Sequence, residues 1–374
     1  MISVDKYCKN EFGHKLYKLS FDGGFTCPNR DGKIDSRGCI FCSAGGSGDF
    51  AVSFDPDNPS ESFEKAKAKI SGKYKGDHYI AYFQAFSNTY GDIEYMRKLY
   101  FSVIENPEVY ALSIATRPDC LDENVYTLLK ELNEVKPVWV ELGLQTSKEE
   151  TAKYIRRGYG NAVYRDAVKR LNEIGIHTIT HLILFLPGED KGDMLSSLKY
   201  ALDCGTKGVK IQVLQVLKGT DLAKDFENGL FKVPTFEEYL ETLRECIDIL
   251  PKDIVVHRLT GDPPRRLLIE PKWTLDKKKV LNAVKDITEP YSPYFVYIIE
   301  CADGTLYTGS AKDVEARFEK HKSGAGAKYT KAHVPEKIVY VEELRSKRKA
   351  LQREYEIKQL SRAQKLELIK NTNG

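Results

Sequence analysis

Residues 110–142 read YALSIATRPDCLDENVYTLLKELNEVKPVWVEL. Residues 110–115 and 138–142 are short apolar runs rich in β-branched and aromatic residues, as buried strands require. Between them, 122–133 is a longer amphipathic stretch of helical pattern. Outward from this strand–helix–strand unit the alternation continues, with strand candidates at 15–21, 79–83, 178–184 and 209–214 and helical patterns at 162–174, 191–204 and 236–249. Strict alternation implies a parallel sheet, and about six units over residues 15–250 predict an α/β protein built on a full or partial (βα)6 barrel of TIM type.

In such a barrel, ligands meet the loops after the C-terminal ends of the strands. A loop with three cysteines follows the first strand, QAFSNTYG the second, TRPDC the third, GLQT the fourth, LPGE the fifth and LKGT the sixth. Polar residues and glycines track the strand ends, which puts the expected active site on that face.

A chain of 374 residues exceeds the size at which a single core keeps growing, so two domains are expected. After Pro251 the pattern turns irregular through HRLTGDPPRRLLIEPKW, and a short helix at 277–285 runs into TEPYSPY, whose prolines and serine read as a linker. A new pattern follows: strand 294–300, a turn at Asp303-Gly304, strand 305–308, helix 313–322, a glycine-rich loop, strand 337–342 and helices to the end. Asp-Gly between apolar runs is a hairpin signal. The expected domains are 1–290 and 291–374, the second a small α+β module.

Hydrophobic residues make up 41% and charged residues 30%, the profile of a packed globular protein rather than a disordered chain. No apolar run is long enough to span a bilayer and the first 15 residues hold no signal-type apolar core, so a cytoplasmic protein without a membrane partner is expected. Residues 291–374 carry 16 Lys and Arg against 11 Asp and Glu, whereas the rest carries 41 against 43. Positive charge concentrated there favours a polyanion such as nucleic acid, although a solvated lysine-rich helix surface gives the same count.

Eight cysteines are too sparse for a disulfide scaffold. Cys8, Cys120, Cys204, Cys246 and Cys301 are scattered and read as small buried hydrophobes. Cys27, Cys39 and Cys42 instead share one loop, CPNRDGKIDSRGCIFC. Thiolates are the ligands that iron-sulfur clusters select, and three of them leave one iron open to an exogenous ligand. Zinc needs a fourth ligand, and the nearest downstream histidine, His78, is distant in sequence. A cluster, a zinc site and an unligated loop all remain open on the residues alone.

GHKLYKLSFDGGFTCPNRDGKIDSRGCIFCSAGGSGDF, SIATRPDCL, VWVELGLQT, ITHLILFLPGE and HRLTGDPPRRLLIEPKW occur in that order and resemble the YhcC/YtqA-like radical SAM proteins, relatives of the radical SAM subunit of Elongator. The resemblance covers nearly all of residues 1–290. Eleven residues separate the first two cysteines, a gap longer than in the wider superfamily but similar to this subfamily and Elongator. The resemblance implies a [4Fe-4S] cluster on Cys27, Cys39 and Cys42, with S-adenosylmethionine (SAM) on the open iron. It implies reductive cleavage of SAM to a 5′-deoxyadenosyl radical, with a reductase, flavodoxin or ferredoxin as electron donor. By position it makes Phe41 the shield of the cluster and Ser87 and Asn88 contacts of the methionyl amine. Arg117, Gln145 and Arg157 become contacts of the cofactor's carboxylate and ribose, and His181 takes a ribose-contacting position.

YFVYIIECADGTLYTGSAKDVEARFEKH, with Glu354 in LQREYEIKQL, resembles the GIY-YIG nuclease fold and its small YhbQ-like members over about residues 292–372. The signature triplets read Phe295-Val296-Tyr297 and Tyr307-Thr308-Gly309. The resemblance implies phosphodiester cleavage in which Tyr297 or Tyr307 orients or deprotonates a water, Arg317 stabilises the phosphate, His321 stands in register with them and Glu354 binds Mg²⁺. A tyrosine of ordinary pKa, about 10, needs a nearby cation or metal to act as a base. Lys312, Lys320, Lys322, Lys328 and Lys331 are candidates to hold the backbone. In the alternative, both tyrosines pack in the sheet and the module only binds nucleic acid.

The expected function is a radical SAM enzyme acting on RNA, tRNA foremost, with a module that binds or cuts nucleic acid. Two alternatives are a Mg²⁺-dependent endonuclease of structured DNA or RNA with a regulatory barrel, and radical chemistry on a small metabolite.

Overall fold

The six apolar runs of the sequence form the six central strands of one parallel sheet in a computed structural model, which describes all residues except 47, 73, 75, 290 and 373–374. In chain order the first unit contains β1 (Ile2–Ser3), β2 (Tyr17–Asp22), β3 (Val52–Ser53), β4 (Tyr79–Phe83), β5 (Val109–Thr116), β6 (Val138–Gln145), β7 (His177–Leu184), β8 (Gly208–Val213), β9 (Val216–Leu217), β10 (Val255–Arg258) and β11 (Leu268–Glu270). Nine of them lie in the order β1-β10-β8-β7-β6-β5-β4-β2-β3, with every pairing parallel. The sheet is a curled half-barrel, and β9 and β11 form a separate antiparallel pair.

Parallel strands are covered on both faces, which is why they read as continuous apolar runs. All five residues of β4 are buried. The crossover helices supply the outer cover. Glu123–Val135 buries Val125, Leu128, Leu129 and Leu132, one stripe at helical spacing. Asp122 caps it by accepting from the Val125 amide at 2.9 Å. The sheet extends beyond the expected core of 15–250, because β10 lies inside the stretch that reads as irregular and β1 adds to it at the edge.

The chain divides into two units, Met1–Ile287 and Thr288–Gly374. The second holds β12 (Tyr294–Cys301), β13 (Leu306–Ala311) and β14 (Pro335–Leu344) in the antiparallel order β13-β12-β14. Gly304 turns the β12–β13 hairpin at φ +77°, and its amide donates to Cys301 O at 2.8 Å. Alternate residues of β12 serve two small cores. Tyr297 and Ile299 pack with Phe318, whereas Val296 and Ile298 pack with Ala350 and Ile357. Among the described residues, no helix is long and apolar enough to cross a membrane.

Candidate active sites

Cys27, Cys39 and Cys42 line a cavity of about 770 Å³ at the C-terminal ends of the half-barrel strands. Their loop is folded on its own carbonyls. The amides of Arg30 and Cys42 donate to Cys27 O and Cys39 O at 2.8 and 3.0 Å, and Arg30 Nη2 reaches Ser43 O at 2.6 Å. Asn29 Nδ2 bridges Cys39 Sγ at 3.5 Å and Arg156 O at 2.7 Å, and Arg156 Nε returns to Gly38 O at 2.9 Å. Burial, reinforced by the Cys42 thiol, pushes the Cys39 thiol up to about 12. A coordinated metal reverses that preference by stabilising the thiolate.

Among the described residues, no three His, Cys, Asp or Glu side chains converge on a point as a single metal ion needs. A polynuclear cluster places each thiolate on its own iron and asks for wider spacing. Three thiols from one loop, facing a cavity, with an amide donor already on one sulfur, are a donor set that fits such a cluster.

The other cavity walls come from the strand-end loops. Phe86, Gln145 and Phe185 lie at or just beyond the ends of β4, β6 and β7 with φ of +59°, +58° and +66°. Non-glycine residues in this region carry strain that accompanies functional sites. Gly46 lets the cysteine loop close on one of them, since a Cβ there would stand 2.4 Å from the Phe86 ring.

The residues expected around SAM divide into two groups. Phe41, Ser87, Arg117 and Gln145 line the cavity. Phe41 packs beside Ile40 and Leu214. The Ser87 hydroxyl is buried beside the Cys120 thiol. Arg117 is held by Asp119 through Nε and Nη2 at 2.9 and 2.7 Å and stacks over Tyr159.

The structure commits the other three elsewhere. Arg157 lines the cavity but spends all five N–H donors on the protein: Tyr159 O, Leu144 O, Thr146 O, Asn161 Oδ1 and, at a longer 3.5 Å, Glu149 Oε2. It ties loops together and has no donor left for a carboxylate or a ribose. Asn88 is fully buried and does not line the cavity, and its Nδ2 donates to Phe83 O, Ala85 O and Ala115 O. His181 faces the cavity, but its Nε2 is bound to Glu141 Oε2 at 2.7 Å.

Glu141 belongs to a polar layer inside the half-barrel that the sequence reading passes over. Lys18 Nζ and Ser113 Oγ reach Glu141 Oε1, both at 2.8 Å, while His181 and Lys210 occupy Oε2. A glutamate within VWVEL and a lysine within GVKIQV are charges inside otherwise apolar strand runs. Buried charges are rare unless paired, and that was the available signal.

In the second unit, Tyr297, Tyr307 and His321 share one small core. The Tyr297 hydroxyl lies 3.0 Å from His321 Nε2, and His321 Nδ1 lies 2.6 Å from Thr330 Oγ1. Thr330 donates its hydroxyl proton to Ala327 O at 2.9 Å. The Ala327 amide also approaches Nδ1, at 3.4 Å, so Nδ1 meets both a hydroxyl and an N–H donor while Nε2 faces the Tyr297 hydroxyl. Burial, then the neighbouring Arg317, holds His321 below its ordinary pKa, which favours the neutral ring. Burial and Tyr307 push Tyr297 up to about 12, with Arg317 acting in the opposite sense. Tyr307 is partly exposed, tilted against His321 at 4.9 Å and stacked on Tyr329 at 5.9 Å between ring centres. Glu354 is engaged by Ser310 Oγ and Lys358 Nζ, each at 2.5 Å, and among the described residues it belongs to no group of three or more His, Cys, Asp or Glu side chains that could hold a metal ion.

Gly309 pairs with Tyr297 across the hairpin, and a Cβ there would meet the Tyr297 hydroxyl at 2.5 Å and the Tyr307 ring at 3.0 Å. Gly309→Ala should therefore cost the small unit about 1–3 kcal/mol, the usual range for overpacking. Hydrogen exchange is the check, with protection lost in β12 and β13 and retained in the half-barrel.

A profile of the radical SAM superfamily matches residues 35–201, one of the radical SAM C-terminal domain matches 206–289, and one of the GIY-YIG catalytic domain matches 293–367. The YtqA protein of Bacillus subtilis (strain 168) is 41% identical over 292 residues, 78% of this chain and 90% of that protein. Protein YhcC of Escherichia coli (strain K12) is 33% identical over 263 residues, 70% of this chain and 84% of that one. A UPF0213 protein of Staphylococcus aureus (strain Mu3) is 60% identical over 77 residues, 21% of this chain and 94% of its own. Among solved structures, the archaeal Methanocaldococcus infernus Elp3 with an N-terminal deletion shares the fold, with a TM-score of 0.54 at 20% identity over 71% of this chain and 62% of that chain. The radical SAM assignment implies SAM and a [4Fe-4S] cluster. The chain thus belongs to the radical SAM superfamily of enzymes, in the group that includes YtqA and YhcC, and carries a GIY-YIG catalytic domain at its C-terminal end.

Proposed function

We propose that this chain cleaves SAM reductively at a [4Fe-4S] cluster held by Cys27, Cys39 and Cys42 and uses the resulting radical to modify RNA, tRNA foremost, in the cytoplasm. The observation that carries this reading is the single loop that presents three thiols to a 770 Å³ cavity at the strand ends. The net positive charge of the GIY-YIG unit supports a nucleic acid as partner.

Once bound, cluster and SAM supply a carbon radical that abstracts a substrate hydrogen, the hard chemistry belonging to the cofactor. The chain's own residues orient and shield. Asn29 fixes the Cys39 sulfur, and Phe41, packed beside Ile40 and Leu214, keeps water from the cysteine loop. Ser87 offers a buried hydroxyl, and Gln145 and Arg117 offer polar groups, on the same cavity wall. The electron comes from a flavodoxin, ferredoxin or reductase.

In the GIY-YIG unit, the hydrogen-bonded Tyr297 and His321 would share the proton of the attacking water, Arg317 would neutralise phosphate charge and Glu354 would hold Mg²⁺ in place of Lys358.

Anaerobic reconstitution with iron and sulfide should give cluster absorbance, and dithionite with SAM should then give 5′-deoxyadenosine. An intact cluster without that product would overturn the radical reading. Mass spectrometry of RNA from cells with and without the protein tests the substrate. Glu354→Ala should abolish Mg²⁺-dependent cutting of structured DNA or RNA, and a wild-type chain that cuts neither would reduce the unit to a binding domain.

A further inference from the structure

The polar layer inside the half-barrel contains more positive charge and more donors than its own residues consume. Its members come from separate strands: Lys18 from β2, Tyr82 from β4, Glu141 from β6, His181 from β7, Lys210 from β8 and Arg258 from β10. All six line the same cavity as the three cysteines. Glu141 is the one carboxylate at the centre, and it is saturated. Two donors stand on each oxygen, Lys18 and Ser113 on Oε1, His181 and Lys210 on Oε2, which fills the roughly four acceptor positions a carboxylate has.

The cations are not saturated. Lys210 donates further to the Tyr82 hydroxyl at 3.2 Å, and the ammonium groups of both lysines lie over the Tyr82 ring, at 4.3 and 4.4 Å from its centre. The other N–H groups of Lys18 find no acceptor among the described residues. Arg258, exposed to the cavity, forms no salt bridge or side-chain hydrogen bond among the described residues. On the same wall, Gln215 Nε2 is buried with no hydrogen-bond partner. At the rim, Lys277 and Asp262 cancel each other at 2.8 Å. Three cations thus face one carboxylate, and a network that served only to bridge strands would need one lysine for Glu141, not two with an arginine beside them.

We propose that Lys18, Lys210 and Arg258, with Gln215, bind an oxyanion of the substrate, a carboxylate or a phosphate, and so hold the reacting part of that substrate inside the half-barrel. Glu141 keeps the two ammonium groups side by side and sets their spacing, and it limits how strongly the site holds its anion. The proposal rests on the reading of the cavity as the place of radical chemistry, and it identifies what the substrate must carry.

The test uses the reconstituted full-length chain at saturating SAM, so that the cofactor's own carboxylate is already placed. Acetate and inorganic phosphate are titrated calorimetrically at low ionic strength. One of them should bind saturably, one per chain. Preference for acetate identifies a carboxylate on the substrate, and preference for phosphate identifies a phosphate group. Lys18→Gln and Arg258→Gln should each weaken that binding about tenfold, the worth of one charge-assisted hydrogen bond. Glu141→Gln should act in the opposite direction and tighten it, a sign that a purely structural network does not produce. Should Glu141→Gln fail to fold, the two milder variants, neither of which strands a buried charge, decide alone. Saturable binding of neither anion, or binding unchanged in both, refutes the proposal. Measuring 5′-deoxyadenosine in the same samples separates the two readings: anion binding without that product leaves the site standing and removes the radical chemistry, and the reverse outcome removes the site.

Discussion

Cys39→Ala should strip the cluster and lower 5′-deoxyadenosine formation by at least about a hundredfold, because changes to groups that merely support a metal ligand already cost 10–100-fold. The Cys39 thiol is held in place by two neighbours. Asn29 donates to its sulfur at 3.5 Å, and Arg156 O lies 3.6 Å from it. The thiol has no other stake in stability, since it lies at the cavity wall rather than in a core cluster. Asn29→Leu should give a graded result, with about tenfold weaker iron retention and the thiols intact. Cys246→Ala is the control, being a core residue that does not line the cavity. Iron and sulfide per chain, read beside product, separate ligand loss from misfolding. A Cys39→Ala protein that keeps its iron and its product would falsify the ligand assignment.

The fold was legible where strands are long and covered on both faces, because burial on two sides leaves an unbroken apolar run in the sequence. That holds for β2 and for β4 to β8. It fails for β1, β3 and β10, which have two, two and four residues. Such short pieces are strands because a neighbour's ladder is waiting, and nothing in Val255-Val256-His257-Arg258 announces that neighbour. The cysteines were legible for a different reason, since residue type and spacing carry the chemistry of a thiolate cluster by themselves. Hydrogen-bond destinations were not. Arg157 and Asn88 have the chemistry to meet a cofactor, and the fold brings main-chain carbonyls to them first. Lys18, Glu141 and Lys210 are distant in the chain and become one group only when three strands curl around a common interior.

Acid should destabilise the half-barrel unit steadily from pH 6.5 down to about 4. Burial, followed by the nearby Lys207, lowers His177 from 6.5 to about 4, and burial, followed by Lys210, lowers His181 to about 4. His257 is held well below 6.5 by burial, then by Lys18 and His177, whose Nε2 stands 3.3 Å from its own. All three are neutral in the fold at neutral pH. As pH drops below 6.5 the unfolded chain takes up protons that the folded chain refuses, so stability present above 6.5 is lost steadily until the folded rings titrate near 4. For His177 and His181 the loss is on the order of 3 kcal/mol each before allowance for partial exposure. Two such terms are comparable with the whole stability of an ordinary domain. Glu141 does not share in this window. Burial opposes its charge, but Lys18 and Lys210 outweigh burial and keep it ionised well below 4.5. Both tryptophans, Trp139 and Trp273, lie in the half-barrel unit, so their fluorescence reports its urea unfolding free of the GIY-YIG unit. The unfolding midpoint should fall steeply between pH 6.5 and 4, and His177→Phe, which keeps the aromatic packing on Tyr7 and Trp139, should flatten part of that fall. A midpoint that holds constant through this window would show that the three rings accept protons in place.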